Sequence, residues 1–124
     1  MRAFYGLVGA RQFAGAGALW TERMRREFPP AANLDGRFAQ TTELHLERAD
    51  VVDLDPRQGR ATVAVEVLEV SGDPPRRRRW TGTWQLVRAA PGPEGPAWLL
   101  DRPALREAPA AARGRGGDGD DGGI

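Results

Sequence analysis

The stretch ATVAVEVLEV occupies residues 61–70 and decides the fold. Its valines return at every second position, at Val63, Val65 and Val67, and a period of two is typical of a β-strand with one buried face. Glu66 falls on the opposite face of the same strand. The stretch therefore predicts a central strand whose valine side looks into the core.

Three more segments predict strands around this one. Residues 39–54 alternate between apolar and polar side chains, and residues 77–88 place two tryptophans on one face. Residues 98–101 predict a short last strand that Pro103 stops, because proline cannot donate a backbone hydrogen bond. Strands joined by short turns pair antiparallel. Turn signals rich in proline and glycine separate the four strands, at residues 55–59, 72–75 and 91–96.

The first thirty residues have a helical period instead. Residues 2–10 and 12–20 repeat apolar side chains every three or four positions, which predicts two short helices. Thr21 is placed to cap a third helix, which ends at the proline pair after Phe28, and we expect Phe28 to face inward. Residues 31–36 are expected to form a loop. Helices first and antiparallel strands afterwards predict an α+β domain with helices on one face of the sheet.

The chain has 124 residues, which fits one domain, and we place this domain at residues 1–107. Hydrophobic residues make up 40% and charged residues 28%, close to globular averages. All eighteen basic residues are arginine. Residues 108–124 contain almost only Ala, Gly, Arg and Asp, so we expect a disordered tail that buries no apolar surface.

Charge and composition argue against several classes of function. The net charge is +1, so no global field gathers nucleic acid, and the arginine run at 76–79 indicates a solvated hairpin tip. Cysteine is absent and His45 is the only histidine, so we expect no metal site and no cofactor. Neither a membrane-spanning apolar run nor a signal-peptide pattern occurs, so we expect a cytoplasmic protein.

Four short motifs carry a resemblance to a known family. FYGLVGARQF at residues 4–13 opens the chain, and ALWT follows at 18–21. WTGTW at 80–84 and WLLD at 98–101 belong to the late strands. In their order and spacing these motifs resemble the nuclear-transport-factor-2-like superfamily, including its SnoaL-like and ketosteroid-isomerase-like branches.

The resemblance implies a cystatin-like cone, in which two to three N-terminal helices pack on a curved antiparallel sheet of about four long strands. It also implies an apolar pocket for a hydrophobic small molecule and a homodimer formed through the outer face of the sheet. Fold alone does not settle function. Aromatic side chains are the expected lining of such a pocket, and we assign this role to Phe4, Trp20, Phe28, Phe38, Trp80, Trp84 and Trp98.

The isomerase-like branch places a tyrosine in the first helix and an aspartate before a proline after the second. Phe4 and Phe28 align with those two positions, and a phenyl ring can neither stabilise an oxyanion nor accept a proton. Tyr5 is one residue away, and a rotation of about 100° should point it elsewhere. The resemblance therefore implies the fold more strongly than the isomerase chemistry.

Four residues remain candidates for catalysis, namely Glu66, Asp35, Asp101 and Tyr5. A carboxylate on a pocket wall has the chemistry of a general base. For Glu66 the alternative is a surface ion pair with an arginine, because the valine face is the better core face. Asp35 lies in an Asp-Gly turn near the expected mouth of the cone, and Asp101 ends the last strand. His45 alternates with leucines beside glutamates, which favours a solvated position.

Three functions remain open from the sequence. The first is an accessory or sensing domain that binds a small molecule in an apolar pocket. The second is a small isomerase, dehydratase or cyclase that uses a pocket carboxylate as general base. The third is a structural dimerisation or interaction domain with a filled core.

Overall fold

The structure, a computed structural model, describes residues 1–89 and 98–108. Three short helices open the chain, α1 at Arg2–Gly9, α2 at Phe13–Gly17 and α3 at Glu22–Glu27. The α+β prediction is confirmed. The Thr21 hydroxyl accepts a hydrogen bond from the Met24 amide at 3.1 Å, so the predicted cap of α3 is confirmed as well.

Four antiparallel strands follow the helices, and each pairs with its neighbour in chain order. The sheet is open, with β1 and β4 at its two edges. This is the meander of hairpins that the turn signals predict. The strands span Thr41–Asp55 (β1), Arg60–Ser71 (β2), Arg76–Arg88 (β3) and Trp98–Glu107 (β4).

The valine face of β2 looks into the core, as predicted. Val63 lies opposite Trp84 and Val67 opposite Trp80 on β3, and all four side chains are buried. Their alternation places the two tryptophans and three valines on the inner face of the sheet. The helices cover this face.

Helix α1 packs its aromatic side chains onto that inner face. The Phe4 ring lies 5.7 Å from the Trp84 ring and 4.9 Å from the Tyr5 ring, both in edge-on geometry. Such aromatic pairs stabilise beyond the area they bury. Rings in contact therefore occupy the space between α1 and the middle of the sheet.

Three elements differ from the sequence prediction. Residues predicted as a loop form a short π-helix, Ala31–Gly36, which buries Leu34. The last strand does not stop at Pro103 but continues to Glu107. Proline is tolerated there because β4 is an edge strand, where an amide that faces away from the sheet has no partner to lose. The second helix is also shorter than predicted, since it ends at Gly17.

Strands β3 and β4 come unusually close at Gly82. A side-chain carbon built on Gly82 would lie 2.0 Å from the carbonyl oxygen of Ala104. The φ angle of Gly82 is 150°, a conformation that other residues rarely adopt. Glycine is therefore required here by the approach of the neighbouring strand. The predicted turn at residues 91–96 and the tail beyond residue 108 lie outside the described residues.

Replacing Gly82 with alanine should destabilise the protein strongly, because the added carbon collides with backbone that cannot move freely. We expect the free energy of unfolding to fall by about 3 kcal/mol in urea denaturation. Thr81→Ala, at the preceding residue and on the opposite face of the sheet, is the control and should cost less than about 1 kcal/mol. A Gly82→Ala protein as stable as the wild type would contradict the close contact of β3 with β4.

Candidate functional site

An open groove of about 530 Å³ lies among the helices. Its volume falls within the range of about 300–1,000 Å³ that is typical of small-molecule sites. Side chains of α2 and of Pro30 form an apolar floor, and Arg25 and Asp35 bring opposite charges to the wall. The lining residues are Phe13, Ala14, Gly17, Ala18, Arg25, Pro30 and Asp35.

Hydrogen bonds from Arg25 and close helix packing hold the groove in shape. The Arg25 guanidinium donates to the carbonyl oxygens of Gly17 at 3.0 Å and Trp20 at 2.6 Å, so α3 is tied to the end of α2. A side-chain carbon on Gly17 would lie 3.4 Å from Leu34, which shows how closely the π-helix approaches α2. The groove therefore exists without any rearrangement of its walls.

The aromatic residues assigned to a pocket are mostly core residues. Phe4, Trp20, Phe38, Trp80 and Trp84 are all buried in the main hydrophobic cluster, and partly buried Trp98 packs against it. Phe28 does not face inward as predicted, since it is 37% exposed. It follows the last turn of α3 with a φ of −129°, so its side chain leaves the inward stripe of the helix. The role of these aromatic residues in ligand binding stays a prediction.

Tyr5 points into the core, contrary to the sequence prediction. Its hydroxyl accepts a hydrogen bond from the Trp84 indole at 2.9 Å. Burial raises the pKa of Tyr5, and the bond from Trp84 and the charge of Arg37 offset only part of this effect. Both Tyr5 and its neighbour Phe4 are buried, although they lie about 100° apart on the helix.

The indole nitrogen of Trp20 has no hydrogen-bond partner among the described residues, although the side chain is buried. An unpaired buried donor costs about 1–3 kcal/mol. Trp20 joins the end of α2 to β4, since it forms an isolated bridge with Leu100. A bound water or ligand with an acceptor atom would satisfy this donor.

A buried carboxylate that the sequence analysis missed lies at one end of the inner face. Both oxygens of Glu69 accept hydrogen bonds from the Arg37 guanidinium, each at 2.9 Å. The Thr41 hydroxyl and the Trp80 indole, at 3.0 Å, also donate to Glu69. The Glu69 side chain is only 3% exposed, so four donors surround a charge that water hardly reaches.

Aromatic rings enclose the other half of this ion pair. The Arg37 guanidinium lies 4.6 Å from the centre of the Phe38 ring and 5.5 Å from that of Trp80. Burial alone would raise the pKa of Glu69, but the hydrogen bonds from Arg37 and Thr41 outweigh it and lower the pKa. A carboxylate held in its charged form in this way is a weak base.

The burial of Glu69 could have been predicted from the sequence. Val63, Val65, Val67 and Glu69 share one parity, so the inner face of β2 runs on into a charged residue. A glutamate at the end of a buried valine row demands a partner of opposite charge. The partner was not readable, because Arg37 reaches it from the π-helix side, 32 residues away in the chain.

Asp101 also serves an ion pair. It accepts hydrogen bonds from the Thr21 hydroxyl at 2.7 Å and from Arg23 at 3.1 Å, and Arg23 also bonds its carbonyl oxygen. Burial would raise the pKa of Asp101, but the bonds from Thr21 and Arg23 lower it. These contacts tie the start of α3 to β4, which makes Asp101 a poor general base.

Glu66 and His45 both lie outside the core. Glu66 is on the outer face, with an oxygen 3.9 Å from Arg48, as the surface alternative predicts. His45 is exposed beside Glu43 at 3.0 Å. Of the four catalytic candidates, Asp35 is the one carboxylate that lines the groove. The structure therefore does not bring Glu66, Asp35 and Asp101 together.

The part of the chain that the structure describes contains neither a candidate metal site nor a helix that could cross a membrane. Histidine, aspartate and glutamate side chains do not gather there in groups of three or more that could hold a metal ion. Within residues 1–89 and 98–108, every helix is too short or too polar to cross a membrane.

Removing the charge of Glu69 should destabilise the protein in a pH-dependent way. The folded-state pKa is lowered, so the pair stabilises fully above the pKa of an unfolded glutamate, about 4.3, and this contribution disappears as the pH falls through the lower folded value. We expect Glu69→Gln to lose roughly 3 kcal/mol of unfolding free energy at pH 7. The difference from the wild type should shrink at pH 3.

Urea denaturation at both pH values measures this difference. Glu66→Gln on the same strand is the control, because its ion pair is solvated and should matter little. Equal destabilisation by Glu69→Gln at pH 7 and pH 3 would contradict a stabilising charge at this position.

Comparison of the chain with known proteins found no matching family, no matching characterised protein and no matching solved structure. The resemblance to the nuclear-transport-factor-2-like superfamily, and the cone that it implies, therefore stay predictions.

Proposed function

We propose that the protein is a small-molecule-binding domain with an accessory or sensing role. The observation that carries the proposal is the groove of about 530 Å³ among α2, α3 and the π-helix. Its apolar floor and few charged groups match the usual composition of a ligand site. The ligand space is thus assigned to the helical side of the domain.

The chemistry of the lining supports an amphiphilic ligand. The side chains of Phe13 and Pro30 offer apolar contact, whereas Arg25 and Asp35 offer one charge of each sign. Two backbone carbonyls already hold the Arg25 guanidinium in place. This side chain therefore loses little further conformational entropy when a ligand binds. A preformed site of this kind needs no closure to be effective.

The enzymatic alternative would use Asp35, the candidate carboxylate on this groove. Glu69 and Asp101 are held as ion pairs with lowered pKa, and both differ from the poised base that proton abstraction at neutral pH requires. An isomerase, dehydratase or cyclase of this fold would therefore bind its substrate in the groove and use Asp35 as the base. Binding without chemistry needs fewer assumptions, and we place it first.

Filling the groove should abolish binding without unfolding the protein. In a screen of a fragment collection by protein-observed NMR, we expect hits that shift the backbone amides of Phe13, Ala14 and Gly17. Ala14 is exposed on α2, so Ala14→Leu should change stability by less than about 0.5 kcal/mol and weaken these hits at least about tenfold.

Glu66→Gln on the outer face is the matched control and should leave every hit unchanged. The proposal would be wrong if no fragment moved the groove amides, or if the hits bound Ala14→Leu as well as the wild type.

We further propose that the protein forms a homodimer through the outer face of its sheet. One row of side chains crosses this face from Asp53 on β1 through Thr62 and Gln85 to Arg102 on β4. Asp53 and Arg102 are three strand spacings apart, about 14 Å, which is too far for them to pair within one chain. A two-fold axis parallel to the strands would bring each against the other in the second copy.

Charge reversal tests this dimer. Asp53→Arg and Arg102→Glu should each convert a dimer to a monomer in sedimentation velocity, because like charges then face each other. The double variant should restore the dimer, and salt should weaken the wild-type dimer. A wild-type monomer at high protein concentration, or a double variant no better than the singles, would contradict this mode of association.

A further inference from the structure

An open slot lies between α1 and the edge strand β1. Helix and strand lie close together at Gly9, where a side-chain carbon would be 3.4 Å from the carbonyl oxygen of Leu44. One turn earlier, a side-chain carbon on Gly6 would meet nothing within 4 Å.

The slot is open to solvent, has a volume of about 170 Å³ and is lined by Arg2, Tyr5, Gly6, Leu44 and Leu46. An apolar cavity of about 150 Å³ in another protein is large enough for benzene. The two leucines and the Tyr5 ring provide apolar walls, and Arg2 provides the one charged group. In size and chemistry the slot fits a single ring or a short alkyl chain that carries an anion.

Packing does not explain the glycine at position 6. Glycine weakens a helix relative to alanine, so it is expected where a side chain would collide. A side-chain carbon on Gly9, Gly15 or Gly17 would have a neighbour at 3.4–3.5 Å, which is ordinary van der Waals contact, and one on Gly6 would meet nothing within 4 Å. No collision therefore requires glycine at position 6, and this residue lines the slot without a side chain.

We propose that this slot binds a small amphiphilic carboxylate. Its apolar part lies between Gly6 and the two leucines, and its carboxylate pairs with the Arg2 guanidinium, a geometry that arginine favours. Arg2 is exposed and forms no ion pair with any carboxylate of the described residues. The slot shares no residue with the α2–α3 groove, so this inference stands apart from the proposed function.

Benzoate and benzyl alcohol form a matched pair of probes that differ in charge. We expect benzoate to shift the backbone amides of Gly6, Leu44 and Leu46 in an NMR titration of the full chain. Arg2→Gln should weaken benzoate at least about tenfold and leave the weaker binding of benzyl alcohol unchanged. Gly6→Leu should abolish the binding of both probes by filling the slot.

Two controls separate this site from other causes. Arg26→Gln removes an arginine of similar exposure on α3, and Ala14→Leu fills the other groove, so both should bind benzoate normally. The Arg2→Gln variant changes a surface side chain and remains informative even if Gly6→Leu fails to fold.

Three results would overturn the inference. They are a benzoate titration that leaves these amides unmoved, equal binding of both probes with no effect of Arg2→Gln, and a folded Gly6→Leu protein that still binds.

Discussion

A buried carboxylate needs partners, and this requirement at Glu69 holds one end of the domain together. Arg37 arrives from the end of the π-helix, Thr41 from the start of β1 and Trp80 from β3, and all three donate to the same two oxygens. Losing Arg37 would leave an unpaired charge in a place that water hardly reaches. The path of the chain from the helices into the sheet is therefore set by one ion pair rather than by apolar contact alone.

Much of the fold followed from short-range patterns. The valine alternation around Val65 predicts both the strand and its buried face. Side chains alternate between the two faces of a strand, and the apolar face is the one that packs against the core. The cap at Thr21 and the hairpin order follow from local turn and cap chemistry. The same alternation favours a position for Glu66 on the outer face, and its contact with Arg48 agrees.

Other features depend on contacts that a sequence pattern does not contain. Pro103 continues a strand because β4 has no neighbour on its far side among the described residues, which is a property of the whole sheet. Tyr5 is buried and accepts a hydrogen bond from Trp84, which is 79 residues away in the chain. Arg37 was unreadable as a partner of Glu69 across 32 residues. The groove likewise arises where the π-helix replaces the expected loop, so its lining was not predictable as a set.

The central proposal is that the main ligand space lies among α2, α3 and the π-helix, because aromatic rings fill the interface between α1 and the middle of the sheet. The crystal structure of the protein soaked in a small organic probe such as isopropanol tests this claim most directly. The account predicts ordered probe molecules against Phe13 and Pro30 in the groove, and none between Phe4 and Trp84. Probe density between those two rings, with an empty groove, would contradict it.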